Sequence, residues 1–348
     1  MKVIRFFICF LMIFLSLNIT NLEAKAKKDP VEHIFIREFE GGNKINAHVI
    51  KVDLNNPRIV IELGLAKKST NKKEVVSTIA KREKAIAAIN GSFFHSRSSI
   101  HGAVGLLMLD GVVISDSGHR RTSLGITEDK KVVIGIPKIK NIAMLPEIGV
   151  NLNLNGINQY RGRNHITLYT PFFGSTTNTA KGGREIIVKD GKITGYGMNN
   201  SRIPKDGFVL SLAKADSKIA DKYPIGTQVF INSVLPKPWN NVKTLITGSP
   251  QLLKNGQIYN TYYKEKLQPS IKAPNTRSAV GITGNNKFIM MSVTGRVTFN
   301  KLAKIMKKLG AKEALALDGG GSTEMYIYGK NMTSNYRPVT NAIVVKYY

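Results

Sequence analysis

Two stretches of this chain repeat their apolar residues at helical spacing, and each runs into a short apolar strand that stops at a polar, glycine-bearing turn. In the first, Asn71 with Glu74 three positions on precedes Val75, Val76, Ile79 and Ala80 on one face. That spacing predicts a helix over 71–84, capped by Asn71. A strand over 85–89 follows and ends in Asn90-Gly91-Ser92-Phe93-Phe94. In the second, Phe299, Leu302, Ala303, Ile305, Met306 and Leu309 form a stripe closed by Gly310, and a strand over 314–317 ends in Asp318-Gly319-Gly320-Gly321-Ser322-Thr323. Asp110-Gly111, Asp190-Gly191 and Asn255-Gly256 each interrupt apolar runs and predict two-residue hairpin turns, whose positive φ these residues tolerate.

The pattern also repeats at longer range. Arg121-Thr122-Ser123-Leu124-Gly125-Ile126-Thr127 matches Arg277-Ser278-Ala279-Val280-Gly281-Ile282-Thr283. The order helix, turn motif, hairpin, arginine motif in the first half returns as hairpin, arginine motif, helix, turn motif in the second. The predicted class is α+β: mixed, largely antiparallel β-sheets with flanking helices, as two related halves in one domain over 71–348. Residues 27–70 read as strands leading into it, over 45–52 and 58–65. The Asn/Gly-rich stretch 137–180 reads as loop insertions near a substrate.

Composition alters this picture at the N-terminus. Lys2 and Arg5 precede an almost wholly apolar run over 6–19, and Ala24-Lys25-Ala26 follows, the plan of a secretory signal peptide over 1–26. An uncleaved anchor is the alternative. The one cysteine, Cys9, lies inside that run, so cleavage leaves no disulfide, thiolate nucleophile or cysteine-ligated metal. No metal site or cofactor motif is legible: the six histidines are scattered and no acidic loop has calcium spacing. The chain carries 51 Lys+Arg against 23 Asp+Glu, a net charge of +28. Such a field attracts polyanions. Its basic residues are mostly lysine, however, without a long Arg/Lys block or the aromatic–basic pattern of RNA readers. For an exported chain the natural counterpart is an anionic envelope rather than a specific nucleic acid. Oligomeric state is not legible.

Candidate chemistry gathers at the strand ends. Asp318 stands at a buried strand tip before three glycines, which let main-chain N–H groups of Gly319, Gly320 and Gly321 approach an anion; Ser322 and Thr323 add hydroxyls. Asn90, Gly91 and Ser92 hold the matching place in the other half. Arg277 and Arg121 open the paired strands, and Arg296 follows a strand over 288–293; each offers planar donation to phosphate or carboxylate. His95 is either an acid–base group or a solvated histidine. Glu324, six residues after Asp318, is either a second carboxylate or an exposed strand residue.

Together these motifs resemble the phosphodiester glycosidase family, which includes the catalytic domain of the lysosomal uncovering enzyme and many exported bacterial proteins. The resemblance covers roughly residues 85–348. It rests on the Asn90-Gly91-Ser92-Phe93-Phe94 turn, both arginine motifs, Gly248-Ser249-Pro250-Gln251-Leu252, Asp318-Gly319-Gly320-Gly321-Ser322-Thr323-Glu324 and the closing Arg337-Pro338-Val339-Thr340-Asn341. The chain departs from the family pattern at Ser92, where a glycine is common, and before Pro250, where further glycines are. The resemblance implies hydrolysis of a sugar-1-phosphodiester at the anomeric carbon. On it, Asp318 is nucleophile or base, Arg277 and the Gly319–Thr323 turn bind the phosphodiester, and Asn90 binds sugar or phosphate. Glu324 completes the catalytic set, with Gly91, Ser92, Arg121, Gly248 and Arg296 around the substrate. The rival expectation is a non-catalytic envelope protein that binds phosphorylated polysaccharide during exopolysaccharide assembly. A second carboxylate beside Asp318 favours the enzyme; Asp318 alone and buried in a salt bridge favours the binder.

Overall fold

The computed structural model describes residues 29–95, 100–213, 217–333 and 337–348; the expected signal peptide lies outside them. All three turn dipeptides close hairpins. Asp110 and Gly111 (φ 50° and 80°) join Leu106–Leu109 to Val112–Asp116. Asp190-Gly191 joins Gly183–Lys189 to Lys192–Gly197, and Asn255-Gly256 joins Gln251–Lys254 to Gln257–Ile258.

Among the described residues four sheets form and helices are few, so the α+β class holds with β-structure dominant. A seven-stranded antiparallel sheet runs in the order Val31–Glu40, Asn43–Asp53, Lys287–Val297, Asn275–Thr283, Ala311–Ala316, Gln251–Lys254, Gln257–Ile258. A five-stranded sheet runs Lys330–Asn331, Met325–Ile327, Ala87–Asn90, Asn341–Tyr347, Ile59–Leu65. A ten-stranded sheet holds the other two hairpins and the first arginine-motif strand, Ser123–Thr127, which pairs with Val242–Thr247. Among the described residues its one parallel pair is Gly156–Ile157 with Ile166–Tyr169. The stretch expected to be loops contributes strands, among them Lys140–Leu145 and Val150–Asn153 of a small three-stranded sheet. The strands before residue 70 are integral: Asn43–Asp53 pairs with Lys287–Val297, and Ile59–Leu65 with Asn341–Tyr347.

Burial on both faces explains the continuous apolar runs. In Lys287–Val297, Phe288 and Met290 enter a core shared with the five- and ten-stranded sheets, while Ile289, Met291 and Val293 pack under the helix Phe299–Lys308. Likewise Ile343 and Val345 face the shared core, and Ala342 and Val344 face the helix Val76–Arg82. The related halves are distributed unequally. The second keeps its hairpin, arginine strand and helix on one sheet, whereas the first divides them between two.

The first helix differs from expectation. It spans Val76–Arg82, and Asn71 does not cap it: the Asn71 Oδ1 accepts the His101 amide at 2.7 Å, and Glu74 pairs with Arg82. Its N-terminal amides are met from far along the chain, as described below. The second helix is capped locally by Thr298, which accepts the Lys301 amide.

Candidate active site

Strand ends from three sheets meet at Asp318. Beyond Ala311–Ala316, the Leu317 amide donates to Ser278 O (2.8 Å) and the Asp318 amide to Gly91 O (3.1 Å). From the ten-stranded sheet, the Gly248 amide donates to Thr122 O and the next amide, Ser249, to Ala316 O (2.8 Å). These approaches require glycine. A Cβ on Gly91 would lie 1.9 Å from Asn341 Oδ1, and one on Gly248 would lie 2.3 Å from Ala316 O. The Asn90, Gly248, Arg277 and Asp318 motifs, spread over most of the chain, thus form one cluster.

Asn90 holds the cluster from inside. Fully buried, it donates Nδ2 to Asp318 O (2.7 Å) and accepts at Oδ1 from Ser278 Oγ (2.6 Å) and the Glu324 amide (3.2 Å). Through this amide it holds the Asp318 backbone in place. Asn341 does the same for the neighbouring turn, accepting the Ser92 amide (2.9 Å) and donating to Ser92 Oγ (2.8 Å).

The Asp318 carboxylate is buried but sparsely satisfied. Oδ1 accepts the Gly319 amide at 3.0 Å, and Oδ2 lies 3.4 Å from Arg337 Nη2. Burial pushes its pKa above the usual carboxylate range, against the opposing pulls of Ser322, Arg337, the Gly319 amide and Arg277. Arg277 is buried as well. Its Nε donates to Val297 O and its Nη2 to Ile271 O and Ala273 O, with the guanidinium 4.0 Å over the Phe299 ring. Burial lowers its pKa to about 10, with Asp318 pulling the other way, so it remains a cation at neutral pH. Its Nη1 has no protein acceptor among the described residues. The turn Gly320–Ser322 is tied down by Thr276 Oγ1 donating to Gly320 O (2.8 Å).

One expectation needs correction. Glu324 is no second carboxylate in the cleft. Its oxygens accept the Val76 and Ser77 amides at 2.9 and 3.0 Å, capping the first helix, where a carboxylate is favoured by the helix dipole. Asn90, expected on sugar or phosphate, is buried and bonds the Asp318 backbone. Arg296 sits exposed near the end of Lys287–Val297. Arg121 is half-buried; burial lowers its pKa and the nearby Glu265 opposes that shift. His95 is exposed, its pKa lowered by partial desolvation and then by His119.

Two further residues shape the site. Arg337, exposed at its tip, donates to Ser322 Oγ and Asp318 and lies 5.9 Å from the Phe94 ring. Its signal was the Arg-Pro-Val-Thr-Asn segment, conspicuous in sequence but with no role attached. Glu265 collects the Thr122 amide (2.9 Å) and the hydroxyls of Thr122 (2.7 Å), Ser249 (2.8 Å) and Thr261. No sequence pattern marked it.

Among the described residues, no helix is long and apolar enough to cross a membrane. A family model, phosphodiester glycosidase, matches residues 174–346. An uncharacterized protein of Rickettsia conorii is 26% identical over 227 residues, 62% of this chain and 77% of the relative. Three solved structures share the fold. A hypothetical protein from Synechocystis has a TM-score of 0.81 at 20% identity, over 93% of this chain; the chain spans 65% of that protein's length. A candidate exported protein of Burkholderia pseudomallei has a TM-score of 0.72 at 16% identity, over 88% of this chain and 74% of its own. The catalytic domain of zebrafish N-acetylglucosamine-1-phosphodiester alpha-N-acetylglucosaminidase, auto-inhibited by its pro-peptide, has a TM-score of 0.53 at 16% identity, over 93% and 85%.

Proposed function

We infer that this chain, a member of the phosphodiester glycosidase family through residues 174–346, is an exported hydrolase that cleaves sugar-1-phosphodiesters in envelope or extracellular glycans. The observation that carries this reading is the Asp318 carboxylate, buried and raised in pKa, between the cations of Arg277 and Arg337. In the reaction the anomeric C–O bond breaks, its electrons leave with the phosphate, and water supplies the oxygen at C1. The departing phosphomonoester carries more charge than the diester. Arg337, the Arg277 Nη1 and the amides of the Gly319–Thr323 turn are the donors that stabilise it. A phosphate leaves readily, so one carboxylate suffices where ordinary glycosides need two. Asp318 either adds to C1 or takes the proton of the attacking water, and its raised pKa makes it a stronger base than an ordinary carboxylate. Net positive charge draws the anionic substrate and envelope toward the protein.

The second reading, a non-catalytic cleft for phosphorylated polysaccharide, is favoured by one observation: Asp318 is salt-bridged, and Glu324 and Glu265 are both committed elsewhere. Against it, the 3.4 Å bridge is long and its arginine exposed, so a substrate phosphate can displace it. Incubation with UDP-N-acetylglucosamine and simpler sugar-1-phosphodiesters separates the two. The hydrolase reading expects free sugar from wild type and a fall of about 100-fold or more for Asp318→Asn. Equal rates for the two proteins overturn the catalytic assignment, and binding without turnover establishes the second reading.

A further inference from the structure

Four of the chain's six histidines gather in one place, away from the Asp318 cluster. His95, His119 and His165 line a cavity of about 330 Å³ together with Asn155, Gln159 and Tyr160, and His101 sits beside it with its Nδ1 3.1 Å from His95 O. The histidines surround the cavity rather than converge on a point: among the described residues, no three His, Cys, Asp or Glu side chains are placed to hold a metal ion.

Among the described residues the lining is uncharged apart from its imidazoles, in a protein where Lys, Arg, Asp and Glu make up 21% of residues. Burial pushes the His95 imidazole down in pKa and His119 adds to the effect, so this ring is neutral at neutral pH. An anion finds no fixed countercharge among the described lining residues. A hydroxylated neutral ligand finds much that suits it. Asn155 has its Oδ1 occupied by the Ile166 amide (2.8 Å), leaving its NH2 group as a donor. Gln159 is the converse: Nε2 donates to Ala103 O (3.0 Å) and Ser115 Oγ (2.7 Å), leaving Oε1 as an acceptor. The Tyr169 hydroxyl donates to Gln159 O at 2.7 Å and steadies the segment. His119 is oriented by Ser117 Oγ at 3.1 Å, itself held by the Gly105 amide. Tyr160 and the imidazoles supply flat faces.

A short stretch of chain links the cavity to the candidate active site. Gly91 O accepts the Asp318 amide, and His95 lies four residues further on, at most about 14 Å of extended chain. Between them the Phe94 ring lies 5.9 Å from Arg337, the partner of Asp318. The volume lies at the lower end of small-molecule sites, which begin near about 300 Å³.

The geometry points to this cavity as a subsite for a neutral sugar ring of the substrate, gripped by Asn155, Gln159 and Tyr160 and walled by His95, His119 and His165. The proposal rests on the hydrolase reading only for its place in a longer substrate; binding of a free sugar tests it separately. The probes are glucose, mannose, N-acetylglucosamine and N-acetylgalactosamine, with inorganic phosphate as the anionic control. Each is titrated at neutral pH into the full chain while the imidazole NMR signals are followed.

At least one sugar is expected to shift the His95, His119 and His165 signals saturably, with phosphate leaving them in place. Tyr160→Ala, at an exposed position that spares the fold, and Gln159→Ala are expected to weaken that binding by about tenfold. With a phosphodiester substrate that is turned over, the same variants raise KM with little change in kcat, whereas Asp318→Asn lowers kcat and leaves sugar binding intact. Absence of a shift with every sugar, or a shift with phosphate alone, overturns the subsite. Sugar binding without any turnover overturns the hydrolase reading instead.

Discussion

The two arginine-motif strands begin alike and end in different surroundings. Arg277 opens Asn275–Thr283 beside Asp318, and Arg121 precedes Ser123–Thr127 beside Glu265; burial lowers the pKa of both arginines and the neighbouring carboxylate opposes it. The carboxylates differ. Glu265 is held by four donors, one amide and three hydroxyls. Asp318 has the Gly319 amide, a long contact to Arg337 and the Ser322 hydroxyl, which do not offset its burial. A saturated carboxylate ties loops together. An undersatisfied one at a strand tip is poised to accept a proton or meet an electrophile.

The largest effect expected from this contrast is on turnover. Asp318→Asn should lower kcat by about 100-fold or more, while Glu265→Gln should stay within about threefold of wild type, in parallel assays on one phosphodiester. A comparable loss in both would erase the distinction.

Stability should move in opposite directions. Glu265→Gln weakens bonds to four donors and should cost about 1–3 kcal/mol in chemical denaturation. Asp318 has a folded-state pKa above its unfolded one, so its contribution is fully present below the unfolded value and is lost as pH rises through the folded one. Asp318→Asn escapes that loss. Its Tm should exceed that of wild type at pH 7, and the gap should close as pH falls below the ordinary carboxylate range. A lower Tm at pH 7 would mean that Asp318 is a structural ion pair.

Glu324→Gln extends the contrast to the third carboxylate. As a helix cap it should cost about 1 kcal/mol and leave kcat nearly unchanged. Smallest is the effect of Arg337→Ala on pH dependence. Arg337 holds the Asp318 pKa down, so its removal should move the acid limb of the kcat/KM profile upward.

What the sequence made legible was local. Asp110-Gly111, Asp190-Gly191 and Asn255-Gly256 announced hairpins because their backbone conformation is special, and the stripe from Phe299 to Leu309 announced its helix. The polar tips at Asn90 and Asp318 stood out because buried strands rarely end so, and the structure joins them through the Asn90 amide. Hidden were the partnerships made only on folding. Asn71 and Glu74 had the spacing of a cap, but Glu324, far along the chain, takes the Val76 and Ser77 amides. Glu265 lacks any local pattern, since its four donors come from three separate segments. The strands within 137–180 were hidden by their short length and Asn/Gly content, yet that stretch supplies Asn155, Gln159 and Tyr160 to the histidine-lined cavity.

The measurement that bears most directly on the central claim is hydrolysis of a sugar-1-phosphodiester in heavy-oxygen water, with the phosphomonoester product analysed by mass. Cleavage at the anomeric carbon leaves that product unlabelled in wild type, with release nearly abolished in Asp318→Asn. Heavy oxygen in the phosphate, or unlabelled product formed equally fast without the Asp318 carboxylate, would contradict the account.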